Sequence, residues 1–429
     1  MSVPNTALKV LVVGDFDSFL RAGQSLATTL KTKGAQIDYA LVFRWFKQIS
    51  ETQLRGFGLP TDLVPEKLSS VLTKKRLTAY DVVIVSLNGT PTRKFMAKFH
   101  ELWKEGDAKR PVAVSLYPGL IFRFHLEGMM SRSSCDLVML NSRYDLKLYQ
   151  EAARSLGLPG DNAVWSGLSF LPQKPRKKNR TGGAFLFAGQ PTAPVGRYER
   201  EYVVESLAKI AASNPQSEVI LKPRHRPSET TLHRIRYHYE ELLLQKDVPA
   251  NLIVSYEPIA KLFERTKVCM TFSSTAALEA LALGIPTRVI TDLGIHENLG
   301  NHFFVGSGLL GDFSTVTAEL PFQFESDWYE RYAAPPEQGT EEAISKIFRL
   351  LEEQASTGKA LPPPQSRLFG RAKAFNSYVS RRDPKSLWRF GDSTQGMIKR
   401  VVALEVSRLG NRAQGRIRRA LRRSSDAET

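Results

Sequence analysis

VCMTFSSTAALEALALGIPTRVITD, residues 268–292, reads as a buried strand, a Ser-Ser-Thr loop, a helix and a second strand. The apolar run VCMTF has strand composition, and Leu278, Leu281 and their neighbours fall at helical spacing. Gly284 and Pro286 close the helix before the apolar run TRVITD. A strand, helix, strand unit of this kind belongs to a parallel sheet. Upstream the same alternation recurs: GAFLFAGQ (183–190), a helix over REYVVESLAKIAASN (200–214), SEVILKPRH (217–225), a helix near LHRIRYHYEELLLQK (232–246), and NLIVSYEP (251–258).

The first half has the same grammar. LKVLVVGD (8–15) is a β-branched run ending in Gly-Asp, followed by a helical stretch that stops at Gly34. QIDYALVF, YDVVIVSL, RPVAVSLYPG and CDLVMLNS add further short apolar runs, each followed by crossover-length sequence. The expected fold class is therefore α/β, with two Rossmann-like doubly wound domains. In such sheets ligands sit beyond the carboxyl ends of the strands. PQKPRKKNRTGG (172–183), basic and without apolar side chains beyond proline, reads as a linker. The expected organisation is an N-terminal acceptor-binding domain at 1–171, a linker at 172–183, a second domain at 184–355, and a spacer with a basic helical tail at 356–429. Two such domains facing a cleft describe the B-type glycosyltransferase architecture (GT-B), and also periplasmic-binding-like proteins, so chemistry has to separate them.

The chain is 429 residues long, two to three times the usual domain, and 42% hydrophobic, which excludes a single small module and wholesale disorder. Sixty Lys and Arg against 43 Asp and Glu give a net charge of +17, which favours an anionic partner. Cys135 and Cys269 lie in apolar runs and read as buried hydrophobes, without a disulfide or zinc spacing. The amino-terminal stretch lacks a signal-peptide pattern, and no apolar run reaches membrane-spanning length, so a cytoplasmic location is expected. In MIKRVVALEVSRLGNRAQGRIRRALRR (397–423), apolar residues among nine Lys or Arg resemble an interfacial amphipathic helix, which points to peripheral association with an anionic membrane face.

Two features carry chemistry. Ser273, Ser274 and Thr275 lie between a buried strand and a helix start, where hydroxyls and free amides meet an anion; an ordinary N-cap explains the same residues. Lys222-Pro223-Arg224-His225-Arg226-Pro227 follows a strand, so its cations emerge at the sheet's carboxyl edge and can hold a phosphate leaving group, with His225 donating to it. Together they indicate one crevice.

The order GQP (189–191), KPRHRP and FSSTAALEALALGIP resembles the donor-domain signature of bacterial capsule and lipooligosaccharide sialyltransferases and Kdo transferases, with their HP and serine motifs. SLYPGL, GMMSRSSCDLVMLNS and Tyr149 are similar to a group of predicted B-type glycosyltransferases. In the resembling enzymes the histidine of the HP motif and the serines contact the phosphate of a CMP-sugar, which implies His225 and Ser273 with Ser274; Lys222, Arg224 and Thr275 of the same bend and loop, with Gly189 and Gln190 of GQP, complete the expected donor-binding residues. The sequence departs from the pattern in having Arg226 between His225 and Pro227, and His233 is a nearby substitute. Glu279, in the helix after the serines, stands where B-type transferases place a ribose-binding acid.

An inverting transfer also needs a base. GDFDS offers Asp17 and, second, Asp15, each equally placed to cap the following helix. Asp292, His296 and Glu297 are candidates for the border of a sugar pocket. Arg123, His125 and Arg132 are candidates for an anionic acceptor, beside the plainer reading of a solvated basic face. No metal-ligand spacing or D-x-D motif is visible, so no metal and no cofactor are expected beyond a nucleotide-sugar donor as substrate. The expected partners are that donor and a glycan or lipid-linked acceptor, with no specific nucleic acid. Together these point to a metal-independent inverting glycosyltransferase, possible donors including a CMP-linked acidic sugar, acting in bacterial surface polysaccharide or glycolipid synthesis. Two alternatives stay open: a nucleotide-sugar epimerase or polyol-phosphate transferase on the same fold, and a noncatalytic basic nucleic-acid-binding protein.

Overall fold

The computed structural model describes residues 7–43, 49, 51–56, 58–103, 107–120, 125–168, 171, 183–227, 235–336 and 340–364, without the side chains of residues 17, 52, 53, 56, 125 and 127. The expected linker, His233 and the expected basic tail therefore lie outside the described residues, apart from Gly183.

Six strands form the first sheet: β1 (Lys9–Gly14), β2 (Gln36–Leu41), β3 (Val82–Ser86), β4 (Val112–Leu116), β5 (Leu137–Leu140) and β6 (Ala163–Trp165). Their spatial order is β2-β1-β3-β4-β5-β6 and every pairing is parallel. Every residue of β3, β4 and β5 is buried, as expected for strands covered on both faces.

The second sheet contains β7 (Ala184–Ala188), β8 (Val219–Lys222), β9 (Leu252–Val254), β10 (Thr266–Thr271), β11 (Thr287–Ile290) and β12 (Leu310–Gly311). Its order, β12-β11-β10-β7-β8-β9, is again all parallel. The chain starts on an inner strand of each sheet and winds outward in both directions. This creates a switch point between β1 and β3 in the first and between β7 and β10 in the second, where adjacent strands send their connections to opposite faces. The two sheets thus have the Rossmann-like α/β architecture expected from the alternating pattern.

The long helix Glu341–Thr357 follows the second sheet in sequence but packs on the first. Ala343, Ile344 and Ile347 are buried in one cluster with Val112, Val114, Met139 and Val164. Near its end, buried Gln354 accepts from the Arg110 backbone N–H (3.1 Å) and donates to the Arg110 carbonyl (3.0 Å). The Arg110 guanidinium in turn forms a bidentate pair with Asp136 at 2.6 and 2.7 Å, both residues being buried. Asp136 also accepts from Ala113 N–H (2.7 Å), and Arg110 donates to the Leu361 and Pro362 carbonyls. A desolvated ion pair survives only when its remaining donors and acceptors are met in this way. Among the described residues, no helix is long and apolar enough to cross a membrane.

Candidate functional site

At the second switch point, β7 ends and the chain turns through Gly189 and Gln190. Gly189 N–H donates to the Lys222 carbonyl (2.9 Å), which ties the loop to the end of β8. A Cβ on Gly189 would lie 3.2 Å from the Tyr239 ring and 3.4 Å from the Lys222 carbonyl oxygen, so the approach favours glycine. On the other side, Gln190 Oε1 accepts from the Ser273 N–H at 2.9 Å. The loop after β7 therefore joins the cationic bend after β8 to the hydroxyl cluster after β10.

Ser273 is turned inward. It is 2% exposed, and its hydroxyl donates to the Leu299 carbonyl (2.5 Å), with Gln190 Oε1 at 3.1 Å. The expected direct contact of this hydroxyl with a ligand gives way to a bracing role, because a buried hydroxyl is held by the nearest carbonyl. Ser274 and Thr275 are half-buried at the sheet edge. Ser274 N–H donates to Thr271 Oγ1 (3.2 Å), and Ser274 Oγ accepts from Ala276 N–H (3.2 Å). The following helix, Ala276–Ala282, has seven residues, so its dipole is a small contribution to anion binding.

The bend from Lys222 to Pro227 divides its side chains. Arg224 is exposed and Lys222 half-buried, whereas His225 is 7% exposed. His225 Nδ1 lies 3.0 Å from the Arg226 carbonyl. A carbonyl only accepts, so Nδ1 carries the proton and Nε2 is a donor only in the imidazolium form. Arg226 leans away, with its guanidinium 4.3 Å over the Tyr256 ring. His238, passed over in the sequence, holds the bend from below. Its Nε2 donates to the His225 carbonyl (2.8 Å) and its Nδ1 accepts from Glu240 N–H (3.2 Å), which fixes the neutral tautomer; burial also pushes its pKa below the ordinary value.

Glu279 lies in the helix Ala276–Ala282, 7% exposed. Burial pushes its carboxyl up to about 7, while Arg21, Arg224 and the Thr275 hydroxyl pull the other way. Arg224 of the bend and Thr275 of the hydroxyl cluster thus act on one carboxyl. Arg21 comes from the helix Asp17–Thr32 of the first sheet, and a Cβ on Gly119, just beyond β4, would lie 3.5 Å from Thr275 Cγ2. Asn141 Nδ2 donates to the Gly119 carbonyl (2.6 Å) and fixes that approach. The carboxyl edges of the two sheets therefore face each other.

At the first switch point, Asp15 follows β1 and is 3% exposed, with Oδ2 3.5 Å from the Asn88 N–H beyond β3. Asp17 opens the helix Asp17–Thr32, and its side chain is outside the described residues. Phe16, not an aspartate, occupies the N-cap position.

Arg132 is fully buried, which corrects both expectations for it, a solvated face and an acceptor contact. Its guanidinium donates to the carbonyls of Leu116 (3.1 Å), Gly128 (2.5 Å) and Leu87 (2.9 Å), and lies 4.4 Å from the Tyr117 ring. These bonds bind the loops after β3 and β4. Arg123 and the His125 side chain fall outside the described residues. Asp292 is held by Tyr202 Oη (2.7 Å) and Phe313 N–H (3.0 Å) and lines a groove of about 600 Å³ with Ser206 and Lys209.

Arg200, also missed, is the counterpart of Arg132 in the second sheet, 1% exposed beneath the Gly189-Gln190 loop. The readable signal was its position on the helical face shared with Val203, Val204 and Leu207, a charged residue in a core stripe.

A family model described as "Putative glycosyltransferase (DUF6716)" matches residues 10–347. No curated protein matches the chain by sequence. Among solved structures, UDP-GlcNAc 2-epimerase from Methanocaldococcus jannaschii is similar with a TM-score of 0.52 at 13% identity, over 80% of this chain and 99% of that one. MurG from Acinetobacter baumannii (TM-score 0.41, 11% identity, 88% and 99% covered) and UGT89C1 from Arabidopsis thaliana in complex with UDP-L-rhamnose (0.45, 13%, 88% and 99%) are also similar. The first of these shows a shared two-sheet fold; at the lower scores of the other two, nothing follows.

Proposed function

The chain belongs to the glycosyltransferase family DUF6716, and on that premise we propose that it moves a sugar from a nucleotide-activated donor on the second sheet to an acceptor hydroxyl on the first. The observation that carries this reading is the facing of two switch points, with Arg21 of one sheet and Arg224 of the other acting on Glu279 between them. Such a crevice suits a donor whose anionic part rests on one lobe while the acceptor enters from the other.

In this reading Lys222, Arg224, Ser274 and Thr275 hold the donor phosphate, and Gly189 lets the backbone approach it. Ser273 braces the loop rather than touching the ligand. His225 stands by the leaving group, donating through Nε2 when protonated. Asp17 or Asp15 accepts the proton of the acceptor hydroxyl. The acceptor oxygen forms its bond to the anomeric carbon as the bond from that carbon to the phosphate oxygen breaks. The electron pair leaves on the phosphate, and one displacement inverts the configuration. Glu279 suits a ribose hydroxyl.

The finer reading, a CMP-linked acidic sugar used for a bacterial surface polysaccharide or glycolipid, is supported by the resemblance of KPRHRP and FSSTAALEALALGIP to sialyl and Kdo transferases and by the +17 charge. A place at the inner membrane face would bring such an enzyme to lipid-linked acceptors. The test is incubation with radiolabelled CMP-, UDP-, GDP- and CDP-sugars and a mixture of glycan and glycolipid acceptors. Transfer of label with inverted anomeric configuration and release of the nucleotide is the expected result. Return of an epimerised sugar nucleotide with no label on the acceptor would overturn the reading.

A further inference from the structure

We infer that Arg200 is a positioning residue: it holds the backbone at Gln190 in place, while the Ser273 N–H turns the Gln190 amide so that its NH2 group, and not its oxygen, is offered to the phosphate of a nucleotide donor. The inference rests on the transfer reading above.

The Arg200 guanidinium donates to four carbonyls: Pro194 (2.8 Å), Pro191 (2.9 Å), Tyr237 (3.0 Å) and Gln190 (3.1 Å). One of its faces lies 4.6 Å from the Tyr239 ring. A planar fork of five N–H donors can pin several carbonyls of one loop at once, which a lysine cannot. Because the group is buried, each of those bonds also offsets its desolvation, so loop and arginine fix each other.

The side chain of Gln190 is oriented by a separate constraint. A backbone N–H can only donate, so the Gln190 atom 2.9 Å from Ser273 N must be the oxygen. The amide nitrogen consequently points the other way. It has no hydrogen-bond partner among the described residues, and Gln190 itself is half-buried. Gln190 follows β7, between the bend after β8 and Ser274 and Thr275 after β10. Its NH2 group is thus a neutral donor pair on a braced arm at the mouth of the expected phosphate site. Donors fixed before the reaction stabilise developing negative charge without reorganising. A loop clasp with a purely structural purpose would need only the oxygen.

The two roles separate in Gln190→Glu, which keeps an acceptor for Ser273 N–H and replaces the NH2 by an oxygen. Binding of UDP, CMP, GDP and CDP is measured by calorimetry on the full chain, with melting temperatures taken in parallel. For whichever nucleotide the unaltered chain binds, Gln190→Glu should weaken binding by about tenfold to a hundredfold, through the loss of a charge-assisted hydrogen bond and the repulsion between the new carboxylate and the phosphate, without lowering the melting temperature. Arg200→Lys should also weaken binding, and the double variant should be less impaired than the two losses summed, because both act through one amide. Arg200→Gln replaces it if the lysine variant does not fold.

Undiminished binding by Gln190→Glu would overturn the donor role of the amide. Strict additivity in the cycle would overturn the role of Arg200. Failure of the unaltered chain to bind any of the four nucleotides is a separate result, which removes the transfer reading and this inference with it.

Discussion

Changing Glu279 to Gln should remove a pH dependence of stability that the buried carboxyl imposes. In the folded chain burial raises that carboxyl from 4.5 to about 7, so between these values the folded state keeps a proton that the unfolded state has released. An acid raised on folding makes stability fall as pH rises through the window, with the loss complete above the folded value. At about 1.4 kcal/mol per pH unit, the interval from 4.5 to about 7 sums to about 3 kcal/mol, an order-of-magnitude figure. Solvent screens little of this, because Glu279 is 7% exposed. Urea unfolding of both proteins, followed by circular dichroism at pH 5 and pH 8, measures the effect. The variant's stability relative to the unaltered chain should improve by about 2 to 3 kcal/mol between those pH values. A difference independent of pH would refute the assignment of the raised carboxyl to Glu279. The same reasoning gives a binding signature. A phosphate brought near this group opposes its ionisation, so nucleotide binding near pH 7 should take up protons, visible as a dependence of the calorimetric heat on the buffer's ionisation enthalpy.

Three further outcomes follow from other contacts. Asp136→Ala leaves the Arg110 guanidinium buried without its carboxylate, and should cost about 3 to 5 kcal/mol in urea unfolding; a loss under 1 kcal/mol would mean that water replaces the carboxylate. His225→Ala should lower turnover with a productive donor far more than it lowers the melting temperature, and unchanged turnover would remove His225 from the leaving-group site. Gly189→Ala pushes a methyl toward the Tyr239 ring and the Lys222 carbonyl, and should weaken nucleotide binding; binding equal to the unaltered chain would show that the loop accommodates the methyl elsewhere.

The sheets were legible because their central strands are covered: VVIVS, apolar up to its final serine, and AFLFA, apolar throughout, are buried at every position, the mark of strands packed on both faces. β6 and β12 escaped notice because three and two residues are too few to show a period. The crevice was legible as residue types at strand ends, since KPRHRP and FSST follow strands that flank β7. The direction of each side chain was not. Nothing in Ser-Ser-Thr says which hydroxyl turns inward, and the Leu299 carbonyl that captures Ser273 lies 26 residues away. Arg132 and Arg200 were obscured for a related reason. A guanidinium can be satisfied wholly by carbonyls, and a carbonyl has no sequence signature. Arg21 could not be assigned to the site because its neighbour Glu279 belongs to the other sheet.

The helix Glu341–Thr357 has a consequence for taking the molecule apart. Since Ala343, Ile344 and Ile347 complete the apolar layer over the first sheet, a fragment ending before them would expose the surface of Val112, Val114 and Met139 to water. The lobes are thus joined by a return path as well as an outward one, like a book whose cover is glued to both boards. Dissection into separately expressed halves therefore calls for supplying residues 341–357 alongside the amino-terminal piece, on a graft or as a peptide.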